Sequence, residues 1–232
     1  MSSKDPHIFP SNAGTVQRPQ LPEPSLRRLP WYLAYVRTLA ARGVDCVSST
    51  RISRDLGVAA TRIAKDLSLL NIKGKTRIGY NVAELERALT DFLGFTTSHR
   101  AMIIGVGSLG GALLRDTGLA QYGLEIVAGF DVKPELVGTR MFDVPVYHIS
   151  EMDHVRHLTD AQVAILTVPY QISQQMADRA VASGCRAVWN FTPVRIQVPP
   201  GIAIANTSIY AHLALIYNRM MAGGAVEADD IT

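Results

Sequence analysis

The chain has 232 residues, 47% hydrophobic and 19% charged, with a formal net charge of +3; that is the composition of a globular protein with a core to bury. No apolar run approaches the roughly 20 residues of a membrane-crossing helix, and the polar first twenty residues carry no hydrophobic signal core. Cys46 and Cys185 belong to no CxxC pair, which argues against a disulfide framework or a zinc site and for a reducing, cytoplasmic compartment.

The charge is unevenly distributed. Residues 18–80 carry twelve Lys and Arg against four acids, whereas residues 81–232 carry ten against fifteen. Basic charge gathered in one segment is what neutralising phosphates requires.

Residues 1–20 are expected to form a disordered tail and residues 21–94 a small helical domain. Leu26, Leu29, Leu33, Val36 and Leu39 recur at helical spacing, with Gly43 as a stop. Pro30 inside this pattern predicts that the helix starts or kinks there. Ser48, Ser49 and Thr50 offer N-cap oxygens for a short helix through Leu56, closed by Gly57. A third helix follows, with Ile63, Leu67 and Leu70 on one face and Arg62, Lys65 and Ser68 on the other. Two short helices joined by a few residues, the second one basic, form the helix-turn-helix pattern. Gly74 is expected to turn a small hairpin with Lys73, Lys75 and Arg77 at its tip, a wing placed to track a phosphate strand or enter the minor groove. Ser49, Arg62, Lys65, Ser68, Lys73, Lys75 and Arg77 are the expected DNA-contacting residues. A fourth helix over Ala83–Leu93 completes the module, and Gly94–Thr97 is read as a linker.

Residues 95–207 alternate strands and helices. Ala101–Ile104 is an apolar run that leads directly into Gly105-Val106-Gly107-Ser108-Leu109-Gly110 and then a helical stretch. In that context a GxGxxG turn is a dinucleotide fingerprint: Gly105 permits the turn, Gly107 lets backbone amides approach a pyrophosphate, and Gly110 lets helix and strand pack closely. Leu124–Phe130 ends in Asp131, twenty-one residues beyond Gly110, where a carboxylate would hold the adenosine ribose and favour NAD over NADP. Lys133, two residues on, is a cation that could instead help hold a 2′-phosphate. Val163–Val168 and Ala187–Trp189 are further strands separated by a helix over Gln171–Ala182, so Thr167, Pro169 and Asn190 fall at carboxyl ends, where ligands of open α/β sheets bind. After a last strand, Ile202–Ala205, residues 208–221 form a helix apolar around most of its surface; it is expected to pack on its own sheet or, more favoured, between two subunits. Residues 222–232 are a second tail.

Over about residues 22–221 the chain resembles the Rex family of redox-sensing transcriptional repressors. The resemblance rests on PEPSLRRLPWYL, GVDCVSSTRISRDLGV, AKDLSLL, GYNV, IGVGSLGGALL, FDVKPELVG, VPVYHI, AILTVP and NFTPVRIQVP, in order and at similar spacing. It implies an α/β Rossmann domain preceded by an N-terminal winged-helix (helix-turn-helix) domain, with the C-terminal helix exchanged in a homodimer. It also implies operator DNA with an inverted repeat as partner, NADH and NAD+ as ligands, and release from DNA when NADH binds. Carried over, the nucleotide turn is Gly105, Val106, Gly107, Ser108, Leu109 and Gly110, with Asp131 on the ribose and Thr167, Pro169 and Asn190 in the crevice. The chain departs from many members, which read RKDLSYFG over 64–71, glycine at Arg77 and an acid at Ser208. The first two departures bear on the operator sequence and the third on the contacts that couple nucleotide to DNA.

Other functions lead to other expectations. An NAD-dependent oxidoreductase with a basic appendage needs a substrate domain and an acid–base group; no substrate domain follows the last strand, and none of His148, His154, His157 and His212 pairs recognisably with an Asp. A CoA- or nucleotide-binding regulator without DNA is a third reading; for a thiol switch, Cys46 and Cys185 lie in different expected domains and nothing near either in sequence marks a reactive thiol. No catalytic or metal-binding residue is expected.

Overall fold

The computed structural model describes residues 21–222, which divide into two compact units at residues 86 and 87. The expected tails, 1–20 and 222–232, lie outside the described residues except for Ala222.

The first unit begins with α1 (Glu23–Ala41), which starts well before Pro30 and continues through it, so Pro30 does not begin the helix. Its buried face is Leu29, Tyr32, Leu33, Val36 and Leu39. After β1 (Cys46–Val47), α2 (Ser49–Leu56) is capped by the Ser48 hydroxyl, which accepts the Arg51 amide at 3.1 Å, and closed by Gly57 in the left-handed region. In α3 (Ala60–Ser68), Ile63 and Leu67 are buried as expected, but Leu70 falls past the helix end and is half-buried. Then β2 (Tyr80–Asn81) pairs antiparallel with β1, and the Asn81 side chain accepts the Glu84 amide at 2.9 Å at the start of α4 (Val82–Leu93).

The wing turns elsewhere than expected. Lys75 and Gly79 exchange two backbone hydrogen bonds of 2.8 Å, and the tip between them holds Arg77 at φ +66°. Gly74 lies outside that turn; a Cβ there would meet the Tyr80 ring at 3.2 Å. Gly79 is the glycine the hairpin needs, because at φ +93° a Cβ would sit 2.3 Å from the Val47 carbonyl oxygen.

The second unit is built from β3 (His99–Ile104), α5 (Ser108–Arg115), α6 (Gly118–Gln121), β4 (Leu124–Asp131), β5 (Arg140–Met141), β6 (Val144–His148), α7 (Met152–Thr159), β7 (Val163–Leu166), α8 (Ser173–Ala182), β8 (Ala187–Asn190), β9 (Ala203–Asn206) and α9 (Ile209–Met221). Its sheet runs β5-β6-β4-β3-β7-β8-β9, parallel throughout except for the β5–β6 hairpin. Chain order reverses between β4 and β7 on either side of β3. That switch point leaves a crevice beyond the carboxyl ends of β3 and β7. The central strands are buried on both faces, Met102, Ile104 and Phe130 in one cluster and Ala101, Ile103 and Ile165 in the other, as near-continuous apolar strands require. The hairpin and α7 add to the expected elements: the hairpin turn uses Phe142 and Asp143 at positive φ, without the glycine or asparagine that usually marks such turns.

Candidate nucleotide site and nucleic-acid interface

The glycine turn links β3 to α5, and each glycine there answers a different steric demand. Gly105 is at φ +89°, with a Cβ position only 2.9 Å from the Thr167 carbonyl oxygen. At Gly110 a Cβ would stand 2.1 Å from the Gly105 carbonyl oxygen, so only glycine lets α5 lie against the turn. A Cβ on Gly107 would meet no protein atom within 4 Å. Its open side therefore faces a space that a ligand, rather than the protein, can fill. No side chain caps the α5 N-terminus, which leaves its first amides and the positive end of the helix dipole for an anion.

A crevice of about 300 Å³ opens beside this turn. Of the expected residues, Gly105, Gly107, Asp131, Thr167 and Pro169 line it. Val106, Ser108, Leu109 and Gly110 do not, although they shape the turn. Val106 is a correction in kind: its side chain is buried, and its amide donates to Asp131 Oδ2 at 2.9 Å. Asp131 also accepts the Val132 and Lys133 amides at 2.8 and 3.1 Å, so the carboxylate braces the loop it was expected only to accompany. The Thr167 hydroxyl donates to the Gly105 carbonyl at 2.6 Å and ties β7 to the turn. The remaining walls, Ile104, Phe130, Val132, Ile149, Val168, Ile172 and Met176, are apolar, apart from the exposed Lys133. Strand ends made Ile104 and Phe130 legible in the sequence; Ile172 and Met176 belong to the helix expected over Gln171–Ala182, but nothing local shows that they face the crevice, and Ile149 follows β6. An apolar slot for a base, a carboxylate beside it and a glycine turn on a helix N-terminus fit a dinucleotide.

Asn190 was expected in the crevice and is not there. It is 0% exposed; its Nδ2 donates to the Val194 carbonyl at 2.7 Å and to Asn206 Oδ1 at 2.9 Å, and its Oδ1 accepts the Thr192 amide and hydroxyl at 2.9 and 2.7 Å. All four bonding positions are used in joining the ends of β8 and β9. Asn190→Ala is expected to lower stability to urea by about 2–3 kcal/mol, because buried polar groups lose their partners, while NADH affinity of the folded protein stays within about threefold. Unchanged stability with lost affinity would return Asn190 to the nucleotide site.

In the first unit Arg62, Lys65 and Ser68 are exposed on α3, with the Ser68 hydroxyl donating to the Lys65 carbonyl at 2.7 Å. Lys73, Lys75 and Arg77 are exposed on the wing, while Ser49, first in α2, is half-buried. Behind α3 lies a cluster absent from the sequence reading. Asp66 accepts two bonds from Arg28, at 2.8 and 2.9 Å, and one from the Tyr32 hydroxyl at 2.9 Å. Burial pushes the Asp66 carboxyl up, but hydrogen bonds from Arg28, Ser25 and Tyr32 outweigh it and hold the group below its ordinary value. Burial, then the bond to Asp66, raises the Tyr32 hydroxyl.

Among the described residues no group of His, Cys, Asp and Glu could hold a metal ion, and no helix is long and apolar enough to cross a membrane. His148 Nδ1 accepts the Ser150 amide at 3.3 Å. Burial raises the Cys185 thiol, which disfavours a reactive thiolate.

Residues 96–194 match the family model described as "CoA binding domain", and residues 20–68 the one described as "Putative DNA-binding protein N-terminus". The chain is 52% identical to the redox-sensing transcriptional repressor Rex of Porphyromonas gingivalis over 210 residues, 90% of this chain and 96% of that one. It is similar to the crystal structure of RSP in complex with β-NAD+ and operator DNA, with a TM-score of 0.84 and 31% identity over 88% of this chain and 94% of that one. RSP in complex with β-NADH gives a TM-score of 0.80 and 32% identity, over 88% and 95%.

Proposed function

Because this chain belongs to the Rex family of redox-sensing transcriptional repressors, we propose that its second unit senses the nicotinamide pool and its first unit reads an operator. The protein is a DNA-binding repressor sensitive to NADH and NAD+, and not an enzyme. The observation that carries the sensing role is the open side of Gly107 above the uncapped start of α5. A bound dinucleotide supplies no reaction in this role; its pyrophosphate and ribose are held by the turn amides and Asp131, and its base by the apolar wall.

The switch requires two states, only one of which presents recognition helices at operator spacing. NADH must bind the other state better, since equal affinity would shift nothing. A tenfold change in DNA affinity needs only about 1.4 kcal/mol of such preference. The test is fluorescence anisotropy on duplexes selected from a random pool, titrated with NADH at fixed NAD+. NADH weakens binding and NAD+ restores it; equal DNA affinity with either nucleotide would refute the mechanism.

The partner is double-stranded operator DNA, and the inverted repeat follows from a two-fold homodimer built through α9. A DNA target also supports a cytoplasmic location. Arg62 and Lys65, with Ser68, face base edges and phosphates from α3, Ser49 lies at the start of α2, and Lys73, Lys75 and Arg77 act from the wing. Arg77→Gly separates backbone from charge. It relieves a left-handed non-glycine residue and raises stability by up to about 1 kcal/mol, yet reduces the slope of log affinity against log salt by about 1.8, the value of one phosphate contact from each subunit of the dimer. Thermal melts and salt titrations check the two effects separately.

A further inference from the structure

The helix that would read bases is only nine residues long and has no capping side chain at its start. Such a helix is not stable alone, so what it packs on decides its orientation. Ile63 and Leu67 are fully buried beneath it, but apolar contacts are non-directional and leave small rotations cheap. The directional contact is the fork of Arg28 on α1. Its Nε and Nη2 donate to the two oxygens of Asp66 at 2.8 and 2.9 Å, in the planar two-pronged geometry that fixes angle as well as distance. The Tyr32 hydroxyl donates to the same carboxylate at 2.9 Å, and Ser25 Oγ accepts from Arg28 Nη2 at 3.3 Å. Asp66 is 1% exposed and Arg28 9%.

Stability alone does not account for this cluster. Taking two ions out of water costs more than most buried pairs return, and well-packed apolar replacements of such pairs are often neutral or stabilising. Base reading, in contrast, demands side chains held within a fraction of an ångström. We infer that Arg28, Tyr32 and Asp66 are positioning residues for operator reading: they lock α3 against α1 at one angle, so that Arg62, Lys65 and Ser68 meet the bases in register. The inference rests on the DNA-binding role proposed above. Binding to arbitrary DNA, carried by charge on α3 and the wing, does not need that angle.

Two variants of the full-length protein test it. In Arg28→Met/Tyr32→Phe/Asp66→Leu the polar cluster becomes apolar, whereas Arg28→Lys keeps the charge and removes the fork. Dissociation constants are measured on a pool-selected operator duplex and on a scrambled duplex of equal length at one salt concentration, with thermal melts alongside. The triple variant melts at or above the wild-type temperature and binds scrambled DNA within twofold of wild type. Its preference for the operator falls at least tenfold, and Arg28→Lys loses part of that preference. A folded triple variant with full operator preference overturns the inference. Unfolding of both variants overturns it equally, because the cluster would then serve stability. A wild-type protein that shows no operator preference sinks the DNA-binding role itself, and this inference with it.

Discussion

Gly110→Ala lowers NADH affinity on the order of 100-fold and leaves a repressor that NADH no longer releases. The added Cβ would lie 2.1 Å from the Gly105 carbonyl oxygen, 2.9 Å from Thr167 Oγ1 and 3.1 Å from the Gly105 carbonyl carbon. Two of those atoms are backbone, so no flexible side chain can move aside. Helix α5 has to withdraw from the turn by about an ångström, and a misplacement of that size in a preorganised site costs on the order of 100-fold. The first amides of α5 then no longer converge on the pyrophosphate. Gly107→Ala is the matched control, since its Cβ meets no protein atom within 4 Å and the protein melts as wild type does. Its NADH affinity nevertheless drops, because the methyl group occupies the approach to the amides. Fluorescence titration with NADH, alongside melting curves, measures both variants. Wild-type NADH affinity in Gly107→Ala would show that the pyrophosphate does not rest on this turn.

Leu213→Glu/Ile216→Glu converts the protein to a monomer and lowers operator affinity by about 100- to 10,000-fold. In α9 the large apolar side chains Ile209, Tyr210, Leu213, Leu215, Ile216, Tyr217, Met220 and Met221 are all exposed, from 36% at Leu213 to 87% at Met221. Burying none of them is costly for thirteen residues of mean apolar character, and in the proposed homodimer a second copy of the same helix and sheet edge would supply a matching surface. Two carboxylates inside that interface would have to be desolvated without partners. Without the dimer, the second half-site no longer binds at the high effective concentration of a linked module, which is the source of the affinity loss. Sedimentation velocity reads the assembly and anisotropy the affinity. A variant that remains dimeric would place the subunit contact elsewhere.

Legibility varied with the distance over which each feature is encoded. The strand–turn–helix around Gly105–Gly110, the Ser48 cap and Gly57 stop of α2, and the apolar run into Asp131 are written within a few residues, and they stand where expected. Arg28 and Asp66 are 38 residues apart, and no spacing rule joins them. Asn190 was legible as a strand end but not as the polar hub of four hydrogen bonds, because Asn206 reaches it only after β9 has paired with β8. Gly74 attracted the wing turn because glycine is the commonest turn residue, yet Arg77 holds the left-handed position at the tip. The β5–β6 hairpin lacks a glycine mark for the same reason, since Phe142 and Asp143 make its turn.

The glycine turn belongs to the sequence: Gly105 and Gly110 stand where a Cβ would strike backbone, a local steric requirement readable from residue type and order. So are the basic face of α3 and the apolar excess of α9. Tertiary structure alone decided what those residues face. It turned Asp131 toward the Val106 amide, joined Asn190 to Asn206 on β9 and brought Arg28 under α3. Hydrogen-bond partners distant in the chain are chosen by strand pairing and helix packing, and one residue's type does not specify which buried donor it will meet.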